Sequence, residues 1–185
     1  TGVVAEKDRL ARYRAMRSAD RTPEPVPDDA PEPRAGNSFV IQEHHARALH
    51  WDFRLERDGV LVSWAIPKGL PPDPKQNHLA VHTEDHPLDY ASFEGDIPAG
   101  EYGGGNVTVW DHGTYELEKW SDREVKVVLH GTRSSGRYVL FKTGNGAGKR
   151  GRDWMIHRMD PAPDGWQPLP ELVPPMLATL GTLPR

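Results

Sequence analysis

From Leu49 to Leu55 the chain alternates strictly between apolar and polar side chains, a pattern that fits a β-strand and little else. Leu49, Trp51, Phe53 and Leu55 fall on one side, and His50, Asp52 and Arg54 on the other. Successive side chains of a strand face opposite sides of a sheet, so one face is apolar enough to join a core. The opposite face carries an imidazole, a carboxylate and a guanidinium in a row. Imidazole and carboxylate bind divalent metals, and guanidinium matches the oxygens of a phosphate.

The rest of the chain repeats the β signal in short pieces. Candidate strands run from Phe39 to His44, His50 to Arg57, Val60 to Ile66 and Leu79 to His82. Further ones run from Val107 to Trp110, Thr114 to Leu117, Val125 to His130, Arg137 to Lys142 and Trp154 to Met159. Asp58-Gly59 predicts a tight hairpin, Asp111-His112-Gly113 a second, and the stretch from Gly131 to Gly136 a third. Many short strands joined by glycine-rich turns predict a mainly β chain, an antiparallel sandwich or barrel. Ahead of them, residues 6 to 18 carry a helical stripe through Leu10, Tyr13 and Met16. Residues 22–36, dense in proline and acid, read as an extended linker. The expected division is a helical arm and proline-rich linker over 1–36, a β domain over 37–170, and a linker over 171–185 leading toward something further.

Composition narrows the chemistry. There is no cysteine, so a metal must sit on histidine, carboxylate or water, and the absence fits a cytoplasmic protein. No apolar run is long enough for a membrane helix. A net charge of -4 argues against a broad electrostatic grip on DNA. Arginines 9, 12, 14, 17 and 21, and the later group Lys142, Lys149, Arg150 and Arg152, are nevertheless local basic patches. The chain opens on Thr1 with no secretory signal, as an excised or processed segment would.

His44, His50 and Asp52 offer two nitrogens and one oxygen, which leaves coordination positions open for water and substrate. Arg54 lies one pleat beyond Asp52, placed to steady a phosphoryl group. Two readings fit this face: a catalytic site, or the solvated side of a sheet. Thr83-Glu84-Asp85-His86-Pro87-Leu88-Asp89-Tyr90 reads as a loop at a sheet edge, with His86 a candidate acid or phosphate ligand and Tyr90 a candidate donor. The glycines between Ile97 and Asn106 do not open a helix and so do not form a phosphate-cradling loop. Lys68 is placed equally for a phosphate or for solvent. His112, His130 and His157 read as structural.

Taken together, Phe39-Val-Ile-Gln42, His44, His50-Trp-Asp52-Phe-Arg54-Leu55, Ser63-Trp-Ala-Ile-Pro67-Lys68-Gly69 and Thr83-Glu-Asp-His86-Pro87 resemble the 3′-phosphoesterase domain of bacterial DNA ligase D. Tyr102-Gly103, Trp110-Asp111, and Arg17 followed by Thr22-Pro-Glu24-Pro25 extend the match over nearly the whole chain. The resemblance implies a small antiparallel β-barrel flanked by short helices. It implies a manganese-dependent enzyme, with Co2+ or Zn2+ as substitutes, that heals 3′ ends in non-homologous end joining. Such an enzyme removes a 3′-terminal ribonucleotide and then the remaining 3′-phosphate. His44, His50 and Asp52 would be the metal ligands. Arg54 and His86 would contact the phosphate, supported by Gln42, Lys68 and Tyr90 and by Arg17, Glu24 and His78 on the substrate side. The partners would be 3′ ends of DNA or DNA/RNA primer-templates, an ATP-dependent ligase domain announced by Pro175-Met-Leu-Ala178, and end-joining factors, all at the bacterial nucleoid. Ser18 and His78 depart from the pattern, standing where the family usually has an acid and an arginine. Two other classes compete. A non-haem iron oxygenase would use His50, Asp52 and His112, with Arg123 gripping a 2-oxo acid. A non-catalytic module would only bind DNA ends.

Overall fold

Nine strands, one short helix and one 3-10 turn make up the computed structural model, which describes residues 8–28, 30, 36–143 and 151–159. The strands are β1 (Ser38–His45), β2 (Leu49–Arg57), β3 (Val60–Ile66), β4 (Asn77–Pro87), β5 (Gly95–Ile97), β6 (Gly105–Trp120), β7 (Glu124–Gly131), β8 (Ser135–Lys142) and β9 (Asp153–Arg158). Their hydrogen-bonded order is β1-β2-β3-β4-β9-β8-β7-β6, and β6 pairs back onto β1. Eight antiparallel strands thus close a barrel, while β5 adds to the free side of β6. This settles the barrel over the sandwich. Closure removes exposed edges, and an eight-stranded barrel is just wide enough to be filled by side chains. Phe39, Phe53, Trp64 and Trp154 run through the core as a chain of ring contacts.

The turn between β2 and β3 forms as expected. Asp58 and Gly59 have φ of 52° and 83°, the left-handed pair that a two-residue hairpin needs. Three expectations are corrected. Residues 111–113 are no hairpin, because β6 runs through them unbroken. Trp110 is the extra residue of a bulge against Ile41 and Gln42. Gly113 serves close approach instead of a turn, since a Cβ there would collide with the His130 carbonyl and press on the Phe39 ring. The short strand expected at Leu79–His82 extends over Asn77–Pro87, so Thr83 to Pro87 are strand and not loop. The proline sits at the strand's last position, where its missing N–H costs little. Leu88–Ser92, the rest of that supposed loop, is a 3-10 turn.

The helix, α1, spans only Ala11–Ala15, shorter than the stripe over 6–18, whose first two residues lie outside the described ones. Leu10 and Tyr13 are buried, so the arm packs on the barrel. The linker follows it down: Glu24 is buried and the Pro25 carbonyl accepts a hydrogen bond from the Tyr13 hydroxyl at 2.6 Å. Residues 29 and 31–35 of the linker, Lys149 and Arg150, and the expected tail over 171–185 lie outside the described residues.

Asp111 gathers the β7–β8 turn. Its carboxylate accepts from the backbone N–H groups of Thr132, Arg133 and Ser134 at 2.7 to 3.0 Å, and from the Ser134 hydroxyl at 2.7 Å. Asp111→Ala is expected to cost about 2 to 3 kcal/mol of stability, because several charge-assisted bonds are lost together. A urea midpoint that falls with an unchanged m-value would bear this out.

A second consequence lies at His82, whose ring stacks on Trp64 at 5.3 Å. Burial, with Lys142 and Arg9 nearby, pushes its pKa down from 6.5 to about 4. The unfolded chain therefore takes up a proton between pH 6.5 and 4 that the folded chain refuses. The resulting stability is complete above pH 6.5 and is lost as the pH falls toward 4. Between pH 7 and pH 5 His82→Phe is expected to lose about 1 to 2 kcal/mol less than the parent, the ring being only partly shielded. Parallel pH-dependent denaturation curves would count against it.

Candidate metal centre and phosphate pocket

The pairing of β1 with β2 places Gln42 opposite Asp52 and His44 opposite His50. The connection between the strands is three residues long, so both imidazoles stand at one end of the ladder, 4.7 Å apart. His44 Nδ1 lies 3.4 Å, and His50 Nε2 3.3 Å, from the same Asp52 oxygen. One donor atom from each residue falls within 4.8 Å of the others.

The outer nitrogens are tied back. His44 Nε2 contacts the Gly103 carbonyl at 2.7 Å, and His50 Nδ1 the Ala48 carbonyl at 3.1 Å. A carbonyl only accepts, so each of these outer nitrogens carries a proton, and the inner nitrogens face Asp52, where a protonated ring donates to the carboxylate and a neutral ring presents a lone pair to an ion. Gly103, with φ of 76°, supplies the backbone turn that aims its carbonyl at His44. This donor set fits a divalent ion. Burial alone would raise the Asp52 carboxyl, but the charges of His50 and Arg54 and the hydrogen bonds from both histidines hold it well below the usual carboxylate range. Burial likewise lowers His50, but Asp52 and the Ala48 carbonyl outweigh it and leave the imidazole raised.

Arg54 follows on the same face. Its Nη2 is 3.5 Å from Asp52, and its Nε donates to Gln42 Oε1 at 2.7 Å. Gln42 in turn donates to the Tyr90 and Phe93 carbonyls at 2.7 and 3.1 Å, which couples the 3-10 turn to the arginine. The guanidinium lies over the Tyr90 ring at 4.7 Å. Its Nη1 is buried and has no hydrogen-bond partner among the described residues.

β4 and the arm build the facing wall. His86 Nδ1 donates to the Glu84 carbonyl at 2.9 Å, which leaves Nε2 to meet Arg17 at 3.4 Å. Burial, then Arg54 and Arg17, hold His86 well below its ordinary pKa, so the ring is neutral. Arg17 bridges Glu24 and Glu84, each at 3.1 Å. Tyr90 donates to Glu24 at 2.6 Å, and burial raises its hydroxyl pKa so that it stays a donor. A cavity of about 250 Å³ is enclosed by Arg17, Glu24, His44, His50, Asp52, Arg54, Glu84, His86, Tyr90 and their neighbours. Two guanidinium groups and three carboxylates line it, a net charge of minus one with neutral histidines. That sign disfavours a phosphate until a divalent cation reverses it.

Residues 42–142 match the DNA ligase D 3′-phosphoesterase domain family. The chain belongs to that family. Among curated relatives of this ligase D domain is a multifunctional non-homologous end joining DNA repair protein LigD of Mycobacterium tuberculosis. It is 57% identical over 180 residues, 95% of this chain and 23% of that protein. A LigD protein of Mycolicibacterium smegmatis is 49% identical over 96% of the chain and 24% of its own length, and one of Pseudomonas aeruginosa 42% over 82% and 19%. The phosphoesterase-family chain thus spans about a quarter or less of the length of these relatives.

Of the expected site residues, His44, His50, Asp52, Arg54, His86, Tyr90, Arg17 and Glu24 meet in the cavity, and Gln42 stands behind Arg54. Lys68 and His78 do not line it. Lys68 is exposed, and His78 is buried against the Gly69 carbonyl at 2.7 Å. Ser18 is exposed. Glu84 was not foreseen, although the alternation of His82, Glu84 and His86 along one strand would have placed it beside His86. Tyr13 and Tyr102 were also missed, because they reach the site through tertiary contacts. The oxygenase triad does not form: His112 is exposed and stands outside the cluster of His44, His50 and Asp52.

Proposed function

We propose that this domain is a divalent-metal phosphoesterase that trims the 3′ ends of DNA strands for end joining, with manganese as its ion. The observation that carries this reading is the cluster of His44, His50 and Asp52 beside a guanidinium nitrogen without a partner among the described residues, all in one cavity. A bound ion would polarise a phosphate oxygen and lower the pKa of a water. Arg54 Nη1 donates to a non-bridging phosphate oxygen, and Gln42 and Tyr90 fix the guanidinium's plane. His86 is neutral while the cavity is free of phosphate. An anion beside it favours the protonated ring, which then donates to the phosphate or to the leaving oxygen. Arg17 and Glu24 hold the arm across the cavity and admit one strand end.

The substrates are strands bearing a 3′-terminal ribonucleotide or a 3′-phosphate. The working context is a longer ligase at the nucleoid, joined through residues 171–185, with 1–36 as arm and 37–170 as catalytic domain. Co2+ and Zn2+ are candidate substitutes. Lys68, exposed outside the cavity, is assigned to a more distant part of the strand, and His78 to bracing the turn at Lys68 and Gly69 through the Gly69 carbonyl. The deciding experiment is release of inorganic phosphate and of a ribonucleoside from labelled primers, with manganese and then with a chelator. Turnover that needs the ion supports the proposal. Binding of DNA ends with no hydrolysis under any divalent ion would leave only an end-binding module.

A further inference from the structure

A second, more open cavity of about 640 Å³ adjoins the first and shares Ala46, Ile97 and Gly103 with it. It runs between the β1–β2 turn, with His45 and Arg47, and the β5–β6 loop from Ala99 to Gly105. Its floor is bare. A Cβ built on Gly100 meets nothing within 4 Å, so a ligand's backbone can come close. Arg47 is exposed and makes no ion pair with a described residue. Glu101 lines the same channel, so the positive charge is local to Arg47. Tyr102, between Glu101 and Gly103 on the rim of the first cavity, is 44% exposed, with the Arg17 guanidinium 5.2 Å from its ring centroid. The part of the ring that Arg17 does not cover is a platform for a planar group. Its hydroxyl makes a long contact, 3.4 Å, with Glu84.

We infer that this channel carries the single strand whose 3′ end enters the metal site, with a base of the strand stacked on Tyr102 and a phosphate held by Arg47. The inference rests on the reading of the site as a 3′-phosphoesterase. It adds the path by which the strand arrives and the residues that would make the enzyme prefer an oligonucleotide to a lone nucleotide. Stacking on an aromatic tolerates any sequence, as an enzyme acting on arbitrary ends requires.

Binding is measured by fluorescence anisotropy with a 12-nucleotide single strand and no divalent ion, so that it is independent of hydrolysis. Tyr102→Ala is expected to weaken binding roughly ten-fold, and Tyr102→Phe to stay within about two-fold of the parent, because the ring and not the hydroxyl does the stacking. Arg47→Ala is expected to reduce the salt slope of log K by about 0.7, the share of one phosphate on a single strand. In turnover, the preference in kcat/KM for the 12-mer over a nucleoside 3′-phosphate should shrink at least five-fold in Tyr102→Ala and Arg47→Ala. If both variants bind the strand and keep the length preference as the parent does, the channel assignment is overturned. Absence of phosphate release from the parent under every ion would instead overturn the phosphoesterase reading, while the anisotropy series still decides the channel.

Discussion

Asp52→Ala is expected to abolish metal-dependent phosphate release, by at least about a thousand-fold, since the ion and its activated water supply several kcal/mol of the transition-state stabilisation. Asp52 is the one group that touches every other member of the centre. A single oxygen lies within 3.5 Å of His44, His50 and Arg54. Without it, two neutral imidazoles face a guanidinium with no anion between them, and a dication has no charged ligand. Losing an outer-shell partner alone costs about 10- to 100-fold in metal affinity, so loss of this direct ligand should exceed a hundred-fold. Calorimetric titration with manganese measures the affinity and a labelled 3′-phosphate strand measures turnover. Asp52→Asn keeps the side-chain shape, so a parallel loss there assigns the effect to charge and not to collapse. His112→Ala, by contrast, should change neither quantity. Full activity in Asp52→Ala would dismantle the assignment of the centre.

The same residue shows how far local sequence reaches. Strict alternation identified β2 and put His50, Asp52 and Arg54 on one face, and the structure keeps that pairing to within one pleat. The turn at Asp58-Gly59 was equally legible, because its conformation depends on the two residues themselves. What alternation left open was whether the polar face meets water. Asp52 and Arg54 are buried, and the cover comes from Tyr13, Arg17, Glu24 and Tyr90, residues up to 41 positions away in sequence. Misreadings followed one cause. Asp111-His112-Gly113 has turn composition, but its glycine answers to a neighbouring strand and its aspartate to a turn that begins 21 residues on. Asp85-His86-Pro87 has loop composition, but barrel closure holds it in β4. Local composition reports what a segment tolerates, and here the neighbouring strands decided what it became.

Arg54→Ala tests whether the cavity is built for a phosphate as well as for a metal. Truncation should lower kcat about 100- to 1,000-fold, the usual scale for removing one preorganised donor from a developing charge. Manganese affinity should stay within about ten-fold, because Arg54 is no ligand. That split separates it from Asp52, where affinity and turnover fall together. Arg54→Lys is not expected to rescue. The guanidinium meets Gln42 with Nε and Asp52 with Nη2, and keeps Nη1 for the substrate, whereas an ammonium is a single point that cannot satisfy all three directions. A merely structural arginine would behave differently: its loss would lower the melting temperature and leave kcat per folded molecule intact. Some destabilisation, about 1 to 3 kcal/mol, is expected in any case from orphaning the buried Gln42 oxygen. Gln42→Leu therefore serves as the companion variant. It removes the brace but not the donor, so its kcat should fall less than that of Arg54→Ala. Equal losses in the two would mean that the brace, and not the free nitrogen, is what catalysis requires. Full activity in Arg54→Lys would mean that positive charge alone suffices at this position.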